Sequence, residues 1–386
     1  MKFLHLGDLH LGKSLLDYDL IEDQKYILNQ ILTIAQKEGI DAMLIAGDVY
    51  DRAIPSEAAI NLLDDFLNRL AVLGIQTFLI SGNHDSDDRL HFGSRLFEKS
   101  GIYICAKFTG QLSRYTLTDM FGEVDIWLLP FVKASHVRYF FPDEEISSYE
   151  DAVRVILQAA GIDKTRRNIL VAHQFVAGKN AEDPLLGGSE SAGTQSVGLV
   201  EKIGYDCFDN FDYAALGHIH SPQQIGREQV RYAGSPLKYS LSEALSDKSV
   251  PIITLGKKGD VRISLHPLKP RRDLRHLKGE MKLLLAKEHV QDPDDYIYAT
   301  LTDEDVIPGA MGIFQQIYPN TLKIDYDNSH TKETEQIDLT AIEKSRNFDE
   351  LISDFYRQMY GCEISPEELA VMQQAAQEAG VIHETD

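Results

Sequence analysis

The feature that most constrains this chain is the tetrapeptide Gly82-Asn83-His84-Asp85 together with the apolar run before it, Thr77-Phe78-Leu79-Ile80. A run of that length reads as a buried strand. The glycine permits a sharp turn, and an amide, an imidazole and a carboxylate in succession suit neither a helix interior nor a strand. Two earlier runs end the same way: Phe3-Leu4-His5-Leu6 leads into Gly7-Asp8-Leu9-His10, and Ala42-Met43-Leu44-Ile45 into Gly47-Asp48. Three strands with polar tips at the same end line those tips along one sheet edge, where open α/β sheets bind ligands.

Between these strands the apolar spacing turns helical. Leu20, Ile21, Ile27, Leu28, Ile31, Leu32 and Ala35 predict a helix over 20–38 that stops at Gly39, and Pro55-Ser56 opens a second one running to residue 73. Strand–helix alternation of this kind makes a parallel sheet. One further helix is expected to end near Gly101. Strands at Ile102–Ile104, Leu112–Leu117 and Val124–Leu129 are expected to begin a second sheet. A helix over 147–160, a strand ending at His173, a strand over 212–217 running into His218-Ile219-His220, and a hairpin over 250–265 complete this part. Gly187–Gly193 reads as a surface loop. The basic residues Lys269, Arg271, Arg272, Arg275 and Lys278 mark a linker, and residues 280–327 a small α/β domain. Two C-terminal helices flank Gly361, the second opened by Ser365-Pro366-Glu367-Glu368.

No apolar run approaches the roughly 18 residues that span a bilayer, so no membrane association is expected. Cys105, Cys207 and Cys362 show no CxxC spacing, which suits a reducing cytoplasm. The net charge of −22 argues against a nucleic-acid partner until its distribution is considered. Residues 280–386 hold 7 basic and 23 acidic side chains, a net of −16, which leaves only −6 for residues 1–279.

Five separated places carry oxygen and nitrogen ligands at strand ends: Asp8-x-His10, Asp48, Asn83-His84, His173 and His218-x-His220. Residues two apart on extended backbone project to one side. Each piece alone is an ordinary loop sequence, and His5, inside a strand, reads as a core histidine. Their order and completeness point to a two-metal site. Mixed carboxylate, amide and imidazole ligands without thiolate suit Mn²⁺, Fe²⁺ or Zn²⁺.

These segments, with Gly47-Asp48-Val49-Tyr50-Asp51-Arg52 among them, resemble the signature of the calcineurin-like metallophosphoesterases over roughly residues 1–240. More narrowly, Asp8-Leu9-His10-Leu11-Gly12 and Asp48 to Ser56 are similar to the SbcD-type nuclease subunits of bacteria. The resemblance implies a four-layer αββα sandwich over residues 1–268, a linker and small α/β capping domain over 269–340, and a helical pair over 341–386 that docks a partner. It implies that Asp8, His10 and His220 hold one metal, that Asn83, His173 and His218 hold the other, and that Asp48 bridges them. His84 is then the catalytic residue, acting on the phosphate or leaving oxygen. Where relatives carry a histidine, this chain has Asp51-Arg52; Arg52 is the candidate phosphate contact or else the ion-pair partner of Asp51. The implied cofactors are two divalent ions, Mn²⁺ foremost. The implied partners are DNA, an SbcC-like coiled-coil ATPase of the SMC/ABC type, and a second copy of the chain, through helices within Asp88–Lys99 and Ser135–Ala160. The other reading on the same fold is a phosphatase or cyclic-nucleotide phosphodiesterase. Phosphoprotein phosphatases share Gly-Asp-x-x-Asp-Arg but carry Glu after Gly-Asn-His, where this chain has Asp85.

Overall fold

A computed structural model describes residues 1–177, 184–186, 202–328, 352–353, 356–357 and 364–378. The chain begins with β1 (Lys2–Leu6), α1 (Ile21–Glu38), β2 (Ala42–Ala46), α2 (Glu57–Val72), β3 (Gln76–Ile80) and β4 (Ile102–Cys105). Next come β5 (Ser113–Asp119), β6 (Gly122–Leu129), α3 (Tyr149–Ala159), β7 (Arg167–His173), β8 (Tyr213–Gly217), β9 (Gln223–Ile225) and β10 (Arg227–Tyr232). The hairpin β11 (Ser249–Leu255) and β12 (Val261–Pro267) follows. One six-stranded sheet has the order β12-β11-β1-β2-β3-β4, and a second has β9-β10-β8-β7-β6-β5. Strands β1 to β4 run parallel, as do β6, β7, β8 and β10.

Side-chain alternation along the strands explains how the sheets stack. In β2, Met43 and Ile45 join a core shared with α1 and α2, while Ala42, Leu44 and Ala46 face the opposite way. In β7, Leu170 and Ala172 join a core with α3, while Ile169 and Val171 turn toward the first sheet. The middle cluster also contains Phe3, Phe78, Val124, Ile126, Leu128 and Tyr213, all fully buried. Three apolar interfaces therefore separate four layers, helix–sheet–sheet–helix, as the sequence resemblance implies. Helix ends are set locally. Ser56 accepts a hydrogen bond from the Ala59 N–H, and Ser148 forms a capping box with Asp151, each such cap contributing about 1 kcal/mol.

Three expectations change. The strand Ile102–Cys105 does not open the second sheet; it pairs in parallel with β3 and closes the first, and the second begins at Ser113. The helix expected to end near Gly101 is broken into Asp87–His91 and Ser94–Phe97, because Gly93 adopts φ 77° between them. The basic stretch read as a linker is partly strand: β13 (Leu274–Gly279) pairs with β14 (Tyr296–Leu301), which pairs with β15 (Thr321–Tyr326). Arg272 pairs with Asp23 of α1 and lies over the Tyr296 ring. By compactness, Met1–Thr300 and Pro308–Asp325 form one unit, and Leu301–Ile307 with Tyr326–Asp386 another.

In that second unit α4 (Pro366–Glu378) has the expected start: Ser365 accepts from the Glu368 N–H at 3.3 Å, and Glu368 accepts from the Ser365 N–H at 3.0 Å. The Gly187–Gly193 loop and most of the first C-terminal helix lie outside the described residues.

Candidate active site

The parallel strands of both sheets end on one side, and their tips meet there. Asp8 follows β1, Asp48 follows β2, Asn83 follows β3, His173 ends β7, and His218 follows β8. Contact this close requires missing side chains. A Cβ on Gly217 would run into the Ala46 carbonyl oxygen, and one on Gly82 into the Asp48 carboxylate. The loops are also bent beyond ordinary backbone. Asp8, His10, Asp48 and His218 have φ of 53°, 42°, 45° and 103°. Such left-handed residues cost about 1–3 kcal/mol each and gather at functional sites.

Several of the hydrogen bonds that hold these loops come from residues to which the sequence assigns no such task. Asp85 accepts from the N–H groups of Val49 (3.0 Å), Tyr50 (2.9 Å) and Gly82 (2.9 Å), tying the Asp48 and Asn83 loops together. Burial, followed by the neighbouring Asp48 charge, pushes its carboxyl up to about 6. Gln24 of α1 donates to the His10 carbonyl at 2.7 Å, and Tyr239 donates to that of Leu9 at 2.6 Å. Only the position of Asp85 inside the Gly-Asn-His-Asp motif hints at any of this.

The seven residues expected as metal ligands come together. Asp8, His10 and His220 offer ligand atoms within 4.8 Å of one another, as do Asp8, Asp48 and His173. His10 Nε2 and His220 Nε2 approach to 3.1 Å. Asn83 Oδ1 is 3.0 Å from both His173 Nε2 and His218 Nδ1. Asp48 Oδ2 lies between the groups, 3.6 Å from His10 Nε2 and 3.3 Å from His173 Nε2.

The donors fit divalent cations. Asp8 Oδ1 accepts the His218 N–H at 2.8 Å, but Asp8 Oδ2 is buried and has no hydrogen-bond partner among the described residues. An orphaned carboxylate oxygen beside converging imidazole nitrogens is the arrangement a cation completes. Burial would raise the Asp48 carboxyl, but attraction to His173 outweighs it and holds Asp48 well below the usual range. His173 responds in kind: burial lowers it, the Asp48 charge raises it, and the balance sits at about 9.

His84 and Arg52 are placed differently. The His84 N–H donates to Asp48 Oδ1 at 2.9 Å, and its Nδ1 lies 3.0 Å from the Asp51 carbonyl oxygen, on the solvent side. Since a carbonyl only accepts, this nitrogen carries the proton. The Arg52 side chain is 81% exposed, with Nε 3.6 Å from Asp51 Oδ2. His5 is buried as expected, with Nδ1 3.0 Å from the Tyr213 hydroxyl.

Behind His220 stands a carboxylate with no signal in the sequence. Glu243 Oε1 is 3.4 Å from His220 Nδ1, and Glu243 Oε2 is 2.5 Å from Lys248 Nζ. Burial would raise the Glu243 carboxyl; His220 and Lys248 prevail and hold it at about 2.

Strand tips that converge on a buried carboxylate–imidazole cluster have the donor set of a metal-dependent hydrolase. A family model described as calcineurin-like phosphoesterase matches residues 1–222, and one described as type 5 capsule protein repressor C-terminal domain matches residues 270–360. Over 354 residues the chain is 34% identical to the SbcD component of the SbcCD nuclease of Staphylococcus epidermidis, covering 89% of this chain and 92% of that protein. The chain belongs to the calcineurin-like phosphoesterase family and, within it, to the SbcD nuclease subunits. Among solved structures it aligns with a dimetal phosphatase from Danio rerio (10% identity, 69% of this chain and 96% of that one, TM-score 0.38). It also aligns with TT1561 of Thermus thermophilus (13%, 68% and 98%, 0.40). The family assignment rests on the sequence matches.

Proposed function

We propose that this chain is a metal-dependent DNA nuclease, acting as a double-strand exonuclease and a single-strand or hairpin endonuclease. The observation that carries the reading is Asp48 Oδ2, set between His10 and His173, together with a buried Asp8 Oδ2 that has no hydrogen-bond partner among the described residues. Asp8, His10 and His220 would hold one divalent ion, and Asn83, His173 and His218 the other, with Asp48 shared. When bound, such ions supply the positive charge that polarises a phosphodiester and acidifies water. His173 Nδ1 faces the Ala46 carbonyl at 2.8 Å, which leaves Nε2 as the ligating atom. His84, fixed through Nδ1 to the Asp51 carbonyl, presents Nε2 as the atom that, once protonated, gives its proton to the departing sugar oxygen. No base-reading motif is visible, so cleavage follows DNA structure rather than sequence.

The imidazole-rich donor set favours Mn²⁺ over Mg²⁺, which takes oxygen ligands and keeps its waters. After removal of metal with EDTA, linear duplex DNA should be cut on addition of Mn²⁺ and at least tenfold more slowly with Mg²⁺ alone; equal rates would refute the preference.

Residues 269–340 form, on this reading, the linker and capping domain, and residues 341–386 the element that docks an SbcC-like coiled-coil ATPase. A cytoplasmic homodimer fits the exposed apolar side chains Phe92, Leu96 and Tyr139 within the two candidate dimer segments. No described helix is long and apolar enough to cross a membrane. Light scattering and co-purification on the full chain and on a deletion of residues 345–386 test both points. Dimers are expected in each case, and ATPase capture only with the full chain.

A further inference from the structure

Each imidazole in the cluster is oriented by whatever faces its other ring nitrogen, and for His220 that group is an anion. Glu243 lies at the end of the short turn Leu241–Glu243 and is 1% exposed. Its Oε1 is 3.4 Å from His220 Nδ1, and its Oε2 accepts from Lys248 Nζ at 2.5 Å and from Ser235 Oγ at 3.4 Å. Lys248 in turn donates to the His220 carbonyl oxygen at 2.8 Å and to Ser235 Oγ at 2.9 Å. Ring and backbone of His220 are thus gripped by one buried ion pair. A buried glutamate–lysine pair gains the fold little net stability, since the attraction between the charges is offset by their desolvation.

The chain places a second carboxylate–lysine pair behind His10. Asp51 Oδ1 is 3.5 Å from His10 Nδ1 and 2.8 Å from Lys13 Nζ, although among the described residues His10 Nδ1 makes no formed hydrogen bond. The other half differs: His173 Nδ1 meets the neutral Ala46 carbonyl oxygen, and His218 turns Nδ1 toward Asn83 Oδ1, itself one of the proposed ligand atoms. A carboxylate accepts but cannot donate, so it selects the imidazole form with the proton on Nδ1 and makes Nε2 the more basic ligand.

We propose that Glu243 is a positioning residue for metal binding: supported by Lys248, it fixes His220 with its proton on Nδ1 and aims Nε2 at the ion shared with Asp8 and His10. This rests on the reading of Asp8, His10 and His220 as one ion's ligands.

The test is Mn²⁺ binding to the full-length, metal-free chain, followed by calorimetry and electron paramagnetic resonance. His220→Ala identifies the ion that His220 helps to hold. Glu243→Gln, whose amide can donate to Nδ1, should weaken that same ion 10–100-fold and leave the other within about threefold. Long-range ¹⁵N–¹H spectra of the unaltered, metal-free protein should show the His220 proton on Nδ1, and this measurement needs no variant to fold. Wild-type affinity for both ions in Glu243→Gln, loss confined to the other ion, or a His220 proton on Nε2 would each overturn the proposal. If His220→Ala itself binds both ions normally, the ligand reading has failed; if it loses one ion and Glu243→Gln loses none, only the role of Glu243 has failed.

Discussion

The floor of the candidate site and its rim are built on different terms. The floor is Asp8, His10, Asp48, His173 and His220, all buried, and two of its loops hold Asp8, His10 and Asp48 in left-handed backbone. The rim, His84 and Arg52, is open to solvent, and the exposed Asn83 joins the two levels by reaching His173 Nε2 at 3.0 Å. A buried carboxylate or imidazole is expensive unless something completes it, so the floor has the character of a place for cations. The rim can approach a large polyanion from outside. One short segment serves both levels: the Asp51 side chain stands behind His10 while its carbonyl holds His84.

If that division is real, Asp48→Ala and His84→Ala should separate it most sharply. Asp48 faces both groups of ligands, so its removal should abolish stoichiometric metal and reduce cleavage to background. His84→Ala should keep both metals and an unchanged melting temperature while cleavage falls about 10²–10⁴-fold, the range for a lost proton donor. Metal analysis on the two purified variants, beside nuclease rates, decides it. A metal-free His84→Ala protein would put His84 in the floor.

A smaller effect is expected where floor and rim are tied together. Asp85 accepts three backbone N–H groups from two loops. Asp85→Asn preserves shape but turns an NH₂ toward at least one of those donors, leaving a buried N–H unpaired. A loss of about 1–3 kcal/mol in denaturant unfolding is expected, with weaker metal binding because the Asp48 and Asn83 loops separate. Unchanged stability would mean that the strand ends alone fix the loops.

What can be read in advance follows from the range of each interaction. The ligands stand at strand ends, and strands, turns and ligand types are all local signals; β1, β2, β3 and β8 fall within a residue of their expected positions. Asp85 is visible as a motif member, although its task is not. Glu243 and Lys248 lie outside any pattern. Their proximity to His220 arises only when the chain returns through β11 to pair beside β1, a contact of long sequence separation with no period to betray it. For the same reason local sequence assigns Ile102–Cys105 to the wrong sheet: pairing partners are tertiary facts, and its composition suits either sheet.

The smallest effect concerns Arg52, where the rim meets solvent. Its Nε is 3.6 Å from Asp51 Oδ2 and its side chain is largely free in water, so the pair contributes at most about 1 kcal/mol. Arg52→Ala should therefore leave melting temperature and metal content unchanged. If Arg52 meets the nucleic-acid backbone, the variant should bind duplex DNA several-fold more weakly. The slope of log affinity against log salt should also fall by about 0.9, the share of one phosphate contact. If Arg52 serves only as the partner of Asp51, affinity and slope should match the unaltered chain, and the effect should appear as a small change in ion affinity through His10. Measuring the slope at several salt concentrations, with cleavage suppressed by omitting metal, separates a residue that belongs to the rim from one that merely shields the floor.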